Sequence, residues 1–443
     1  MLFPILTIFC NAGLLEALLV SRQFIEQEVP KTNVLFADPV QADSALSCSF
    51  RCLGKNVTGD CNVFFYNKTT LNCHLGDLSE IDRSKENNST QLVWKLKGCS
   101  VPENPINGKW YCETNIKQEK CFLVCFPGYV AKSFRGLYCY LYEDQAKWDK
   151  SPNEFECLPT VIAITGGFYF PMVGQLSTFG PDGQVRLPNH LGHYFRQHIV
   201  QYFRGQIIYC GGYYVRNKCY RLNFTSGGEG TSMQISTKIR INSASVIVQD
   251  RYYIIGGDLA ESQAQAEYIL EADGLSYDGM LTPELTDANT APSCAIRFTD
   301  KSFVNIVKDM VTEYDISAGT SKALPNLNIP RQRFGCDSYL DEDEELVSIV
   351  AGGNTVDSAY TAEIFKPSFG QWIIIGNLTY PRESHAVVTT SDGVFAIGGE
   401  NNPTGKVEKL DIKTKTWIDT GLNYDPDSAF FAATAIPVDI LPP

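Results

Sequence analysis

Five short runs decide the fold: VIAITGG (Val161–Gly167), IIYCGG (Ile207–Gly212), YYIIGG (Tyr252–Gly257), VSIVAGG (Val347–Gly353) and VFAIGG (Val394–Gly399). Each is too short for a helix, rich in β-formers, and ends in a glycine pair, so each reads as a buried strand. The doublets stand 45, 45, 96 and 46 residues apart. The long interval is two units with one doublet missing, its place taken by VNIVKD around Asn305. A period of this length is that of a propeller or another repeat array. Glycine allows φ > 0 and close backbone approach where a strand breaks beside a crowded channel.

Working outward, another short strand precedes each of the four later runs and the doublet-less VNIVKD: HIVQYF, SASVIVQD, CAIRFTD, FGCDSYLD and SHAVVTT. A loop and a third strand follow, as in AEIFKP and VEKLDI, and a fourth strand lies near Trp372 or Trp417. The array starts with a second strand, VIAITGG, and finishes with a first strand, SAFFAATAIP. Pairing the two closes six blades and removes an exposed edge.

This pattern resembles the kelch repeat. The marks are the Gly-Gly, a Glu with an aromatic or Leu two residues on (Glu363 and Phe365, Glu408 and Leu410), and a Trp nine residues after that Glu (Trp372, Trp417). Glu313-Tyr314 keeps part of it in the degenerate unit, and Arg382 before an inner strand also fits. Residues 340–420 match well, while the blades of 200–300 lack the Trp. The fold expected is mainly β, with a six-bladed kelch-type β-propeller over residues 159–443. Loops after the doublets converge on one face, with Tyr213 and Asn354 among them. Arg196, Arg240, Arg331, Arg333 and Arg382 precede inner strands on that side. Such arginines either grip an acidic peptide or glycan through bidentate bonds or pack the blades.

The N-terminal third is built differently. Residues 1–20 are apolar and interrupted by Asn11, Ala12, Gly13 and Glu16, which reads as a secretory signal over 1–21 without a basic n-region. Its removal takes Cys10 and leaves 14 of the 15 cysteines, an even number. That parity fits an oxidised, paired set in a secreted chain. Sequons at Asn56, Asn67, Asn87, Asn88, Asn223 and Asn377 agree with this compartment. The net charge of −13, with no basic run, argues against nucleic acid and anionic membrane as partners. No later stretch is long and apolar enough to span a membrane.

Cys48 and Cys52 are four apart, on one face of an expected short helix, and CNVFFYNKTTLNC alternates like paired strands. Residues 22–97 thus resemble the PAN/apple fold (α+β), which implies bridges Cys48–Cys73 and Cys52–Cys61. Residues 98–158 hold Cys99, Cys112, Cys121, Cys125, Cys139 and Cys157, with Pro102, Asn107-Gly108, Pro127-Gly128-Tyr129, Trp148 and Pro152. These are similar to a sushi (complement control) module, all-β, which implies Cys99–Cys139 and Cys125–Cys157. Cys112 and Cys121 depart from the four-cysteine pattern and most simply form one extra local bridge. In the repeat array Cys210 and Cys219 flank a glycine turn, where a hairpin bridge is reasonable. Cys294 and Cys336 sit on equivalent inner strands and are either bridged or inert free thiols.

Chemistry is sparse. Phosphate loops, G-x-S-x-G and H-E-x-x-H are absent. His190, His193, His198 and His385 are a meagre hand for a copper oxidase of the galactose-oxidase type. The acidic run Asp341–Glu345 is either a calcium loop or, more simply, a solvated hairpin turn. The expectation is therefore no cofactor and no enzyme, but a secreted recognition protein whose PAN, sushi and kelch modules bind extracellular proteins or glycans. A propeller-based oxidase or carbohydrate-active enzyme, or a structural matrix component, are the alternatives.

Overall fold

The computed structural model describes residues 24–30, 35–36, 40–41, 63–67, 72–77, 90–96, 99–114, 119–132, 136–142, 145–166, 175–180, 183–190, 197–203, 205–212, 218–222, 232–234, 241–249, 251–257, 266–271, 275–280, 294–400, 405–424 and 432–440. Among them the chain is mainly β, with two 3-10 turns and no α-helix. The chain forms two compact units: residues 1–103, 112–122 and 136–152 in one, and 104–111, 123–135 and 153–443 in the other. The segment 98–158 thus contributes to both.

In the first unit one sheet runs in the order Phe24–Pro30, Thr90–Leu96, Val63–Asn67, Asn72–Asp77, Leu35–Phe36, and Val40–Gln41 also pairs with Asn72–Asp77. Cys73 is buried and disulfide-bonded. Cys48, Cys52, Cys61 and the helix expected around them lie outside the described residues. Cys99 is bonded to Cys139 and Cys112 to Cys121, with Cα atoms 5.8 and 4.0 Å apart. The indole of Trp148 donates to the carbonyl of Ser100 at 3.1 Å, tying the start of this segment to its edge strand.

The second unit holds six antiparallel sheets of the repeat array, called blades here. Ordered from the inside outward, the first blade is Ala432–Pro437, Cys157–Thr165, Gln175–Gly180 and Gly183–His190. The five others start from the inner strands Ile199–Phe203, Ala244–Val248, Cys294–Arg297, Gly335–Leu340 and Ala386–Thr390, each running outward in chain order. The C-terminal strand pairs with the first in register from Thr160↔Pro437 to Thr165↔Ala432. Each inner strand packs on the next, and the last returns to Ala432–Pro437 and on to Ile199–Phe203. The sheets therefore close into a ring, an arrangement consistent with a β-propeller.

The core lies between blades. The doublet strands are almost wholly buried, as in Leu346–Ala351, where Val347, Ile349, Val350 and Ala351 are each at most 1 % exposed. Apolar side chains of neighbouring blades meet there, as Ile349, Ile364, Val387, Val394 and Trp417 do between the fifth and sixth. Burial on both faces explains why these runs read as continuous apolar stretches and not as alternation.

Candidate functional site

The doublets set the geometry of one end of the ring. Gly352 and Gly353 follow the second strand of the fifth blade with φ of 68° and 147°. A Cβ on Gly352 would stand 2.5 Å from His385 Cε1 and 2.6 Å from the carbonyl oxygen of Arg382. The Gly353 amide donates to that same carbonyl at 2.9 Å. A doublet is thus the place where one blade holds the chain entering the next, and only glycine leaves room.

Two of the arginines expected to face a ligand do not. Arg331 and Arg382 are 1 % and 0 % exposed. Arg331 reaches the Glu363 carboxylate at 2.6 Å and the carbonyls of Gly352 and Thr361 at 2.9 and 3.0 Å. Arg382 donates Nε and Nη2 to Glu408 at 3.1 and 2.9 Å and Nη1 to the Gly398 carbonyl at 3.0 Å. Each guanidinium joins a doublet carbonyl to the repeat's glutamate. The same glutamates accept backbone amides of the entering chain, from Asn328 and Ile329 in one case and Thr379 in the other. The blade-packing role is the one these two residues fill, and the ligand-gripping role is corrected for them: no solvent-facing donor remains.

Arg333 differs. Its side chain is 44 % exposed and lies 3.4 Å from the carboxylate of Glu383. Asn354 is exposed on the loop after Gly353, and its amide donates to the carbonyl of Gln332 at 3.0 Å. The turn Thr355–Thr361 carries Val356, 91 % exposed, and Tyr360, 43 % exposed. Glu383 and Glu400 bridge through their backbones beside it. Burial and the nearby Glu383 push the Glu400 carboxyl above its ordinary range. Arg196, Arg240 and Tyr213 lie outside the described residues, as do the loops at 168–173, 213–217, 258–262 and 401–404.

A cavity of about 400 Å³ runs along the ring axis, lined by all six inner strands. Gln201 donates to Ser245 at 3.3 Å across two of them. Asp337 faces this space, its oxygens accepting the amides of Ser338 and Thr389 at 2.8 and 2.7 Å. Burial raises its carboxyl to about 6. His198 and His385 are buried at the doublet end, and burial lowers both to about 3. At the other end the segment Cys125–Val130 lines the cavity. Gly128 bridges Thr390, the last residue of an inner strand, and its carbonyl accepts from Thr160 at 2.8 Å. A Cβ on Gly128 would meet the Thr390 carbonyl at 2.5 Å, so glycine is required for this approach.

The sequence reading did not single out Asp337 or Arg297, and it read Cys125 and Pro127-Gly128-Tyr129 only as marks of the sushi resemblance. A signal existed: CAIRFTD and FGCDSYLD each place a charge inside an apolar strand run. His190 ends a strand of the first blade, and His193 lies outside the described residues. Among the described residues no group of three His, Cys, Asp or Glu is placed to hold a metal. The acidic run is a hairpin turn whose cation is internal: the Lys366 ammonium lies 2.6, 2.7 and 3.3 Å from Asp341, Asp343 and Glu345.

Further disulfides join Cys125 to Cys157, Cys210 to Cys219 across a hairpin, and Cys294 to Cys336 across neighbouring inner strands. Asn377 is exposed, Asn67 ends a strand, and Asn56, Asn87, Asn88 and Asn223 lie outside the described residues.

Comparison with known proteins bears on the sixth blade. Residues 381–419 match the model of the Kelch motif. Kelch-like protein 7 of Rattus norvegicus and of Mus musculus are each 33 % identical over 69 residues, 15 % of this chain and 12 % of the relative. The chain therefore spans only about an eighth of the length of these relatives. The buried Arg382–Glu408 pair and Trp417 fall inside the matched segment, so the chain carries kelch repeats.

Proposed function

We propose that this chain is a secreted recognition protein, not an enzyme, whose kelch propeller binds a protein partner on the doublet face. The observation that carries this is the surface around the fifth and sixth blades. Val356 and Tyr360 stand exposed next to Arg333, Glu383 and Asn354, on loops fixed to a rigid ring by buried ion pairs. Exposed apolar groups rimmed by charge are the usual composition of a protein interface. Kelch repeats lend the expectation of protein partners. The five disulfides named above support an oxidising compartment. In this reading the N-terminal segments act as PAN/apple and sushi modules, and glycans are a second ligand class. Several modules on one chain would favour avidity.

The test uses the full secreted chain on an array of extracellular proteins and glycans, beside Val356→Asp and, as an opposite-side control, Ile418→Asp. Saturable binding lost in Val356→Asp and kept in Ile418→Asp supports the reading. Binding unaffected by Val356→Asp moves recognition off this face.

A further inference from the structure

We propose that the axial cavity is a binding pocket for a monocarboxylate, gripped by Arg297. This goes beyond the partner-binding reading and does not rest on it, because a small acid could occupy the cavity whether or not a protein binds the face above.

Arg297 lies on the inner strand of the fourth blade and lines the cavity. It is half-buried, and among the described residues no hydrogen bond or ion pair engages its guanidinium. The two nearby carboxylates are committed elsewhere. Asp300 lies 2.7 Å from the Lys109 ammonium, and the Asp337 oxygens hold the amides of Ser338 and Thr389. A planar guanidinium with five donors, removed from bulk water and unpaired, is an anion site by its chemistry.

The second observation is independent. His385 and Ser243 line the same cavity and are 7 % and 9 % exposed. Neither ring nitrogen of His385 nor the hydroxyl of Ser243 has a hydrogen-bond partner. Buried polar groups are nearly always satisfied, and these two precede their inner strands at the doublet end while Arg297 ends its own, so they would meet the far part of a ligand and not the carboxylate on Arg297. The doublet of the fifth blade packs against His385 and fixes it there.

Charge and size narrow the class. Asp300 and Asp337 act on Arg297 electrostatically, and any repulsion they exert is twice as large for a dianion such as phosphate as for a single negative charge. The volume is at the small end for ligand pockets, which run from ~300 to 1,000 Å³, and suits an acid of few carbons or one acidic side chain. The second strand of the fourth blade returns through a two-residue turn, Lys308–Asp309, with no doublet loop. Besides Arg297, the charged or titratable groups lining the cavity are Asp337 of the fifth blade, His198 and Tyr202 of the second, His385 before the sixth, and Tyr129, with Asp300 acting on Arg297 from outside the lining. The described residues of Cys125–Val130 add no charge. Protonation of Asp337 below about pH 6 removes the competing charge, so affinity rises as pH falls toward 5.

The probe is trifluoroacetate, followed by ¹⁹F NMR on the full chain, with an uncharged-ended peptide holding one Asp as the second arm. The expected result is saturable broadening, tighter at pH 5.5 than at pH 7, and weakened at least about tenfold in Arg297→Gln. Binding of trifluoroacetate marks a free acid as the source. Binding of the peptide alone marks a side chain delivered by a partner. Saturation by neither, or equal binding by folded Arg297→Gln, overturns the proposal. Should Arg297→Gln fail to fold, Asp337→Asn decides: tighter binding at pH 7 supports the site, and unchanged binding overturns it.

Discussion

The sixth blade and the fourth share four antiparallel strands and little else. The sixth carries a buried arginine, Arg382, that joins Glu408 to the Gly398 carbonyl. At the register position of that glutamate the fourth has Thr312, with no arginine in the chain entering its inner strand and no doublet. The neighbouring Glu313, one residue on, takes the hydroxyl of Ser302 at 2.7 Å. The fifth follows the sixth, with Arg331 on Glu363 at 2.6 Å. The difference teaches what the repeat's polar residues are for. The blade itself needs only its strands. Arginine and glutamate are needed where a long loop enters after a doublet, because there backbone carbonyls and amides would otherwise be buried without partners.

The comparison breaks first at Arg382. Replacing it with Met leaves the Glu408 carboxylate buried without its counter-charge, and strips the Gly398 carbonyl of its donor. Breaking a buried pair this way costs about 3–5 kcal/mol. Ser302→Ala in the fourth blade removes one hydrogen bond to a charged group and should cost about 1–2 kcal/mol. Denaturant midpoints of the two full-length variants measure both. Equal losses would mean that the arginine pair is no more than another hydrogen bond.

How much of this was legible in the sequence follows the same line. The doublet spacing, the closing of the first blade by Ala432–Pro437, and the Glu-and-Trp pattern of residues 340–420 are periodic, and periodicity survives without coordinates. The direction in which Arg331 and Arg382 point does not. A guanidinium before an inner strand is compatible with solvent or with the blade. What decides is the distance to a glutamate 32 or 26 residues later, which no local pattern carries. The axial cavity was hidden for a related reason. Arg297 and Asp337 belong to different repeats, and only the closed ring puts them around one space. Cys125–Val130 lies outside the repeat altogether.

A second contrast is between the two buried histidines, each placed just before an inner strand. The ring of His198 shares a hydrogen bond of 2.8 Å with the Thr165 hydroxyl, while both nitrogens of His385 lack such a bond. Burial holds the two near 3, below the ordinary value of 6.5. With the folded pKa depressed, the unfolded chain takes up protons first. Stability is therefore full above about pH 6.5 and is lost as pH falls toward 3. Each neutral histidine costs roughly 1.4 kcal/mol per pH unit in that window, so about 3 kcal/mol by pH 4.5. Asp337 works in the opposite sense, its raised pKa favouring the folded state as pH falls below about 6. His385→Met keeps the volume and removes one titration. It should match the parent at pH 7 and exceed it at pH 4.5 by about that amount in urea unfolding. A constant difference at both pH values would show that His385 is not held neutral.

The smallest effect expected is the one that separates packing from recognition most cleanly. Arg333 stands two residues after Arg331, yet its side chain is 44 % exposed and its contact with Glu383 is 3.4 Å. Its structural duty rests in the backbone: φ is 55°, and its carbonyl accepts the Ser384 amide at 2.7 Å. An alanine keeps that backbone and gives up the half-exposed ion pair with Glu383, a contact of a kind worth at most about 1 kcal/mol. The Arg333→Ala midpoint should therefore fall within that range of the parent, against the several kcal/mol lost at Arg382. If the doublet face recognises a partner, the same variant loses affinity while keeping its stability. A large loss of stability would instead place Arg333 with Arg331 and Arg382 as part of the packing, leaving Val356 and Tyr360 to carry recognition on this face.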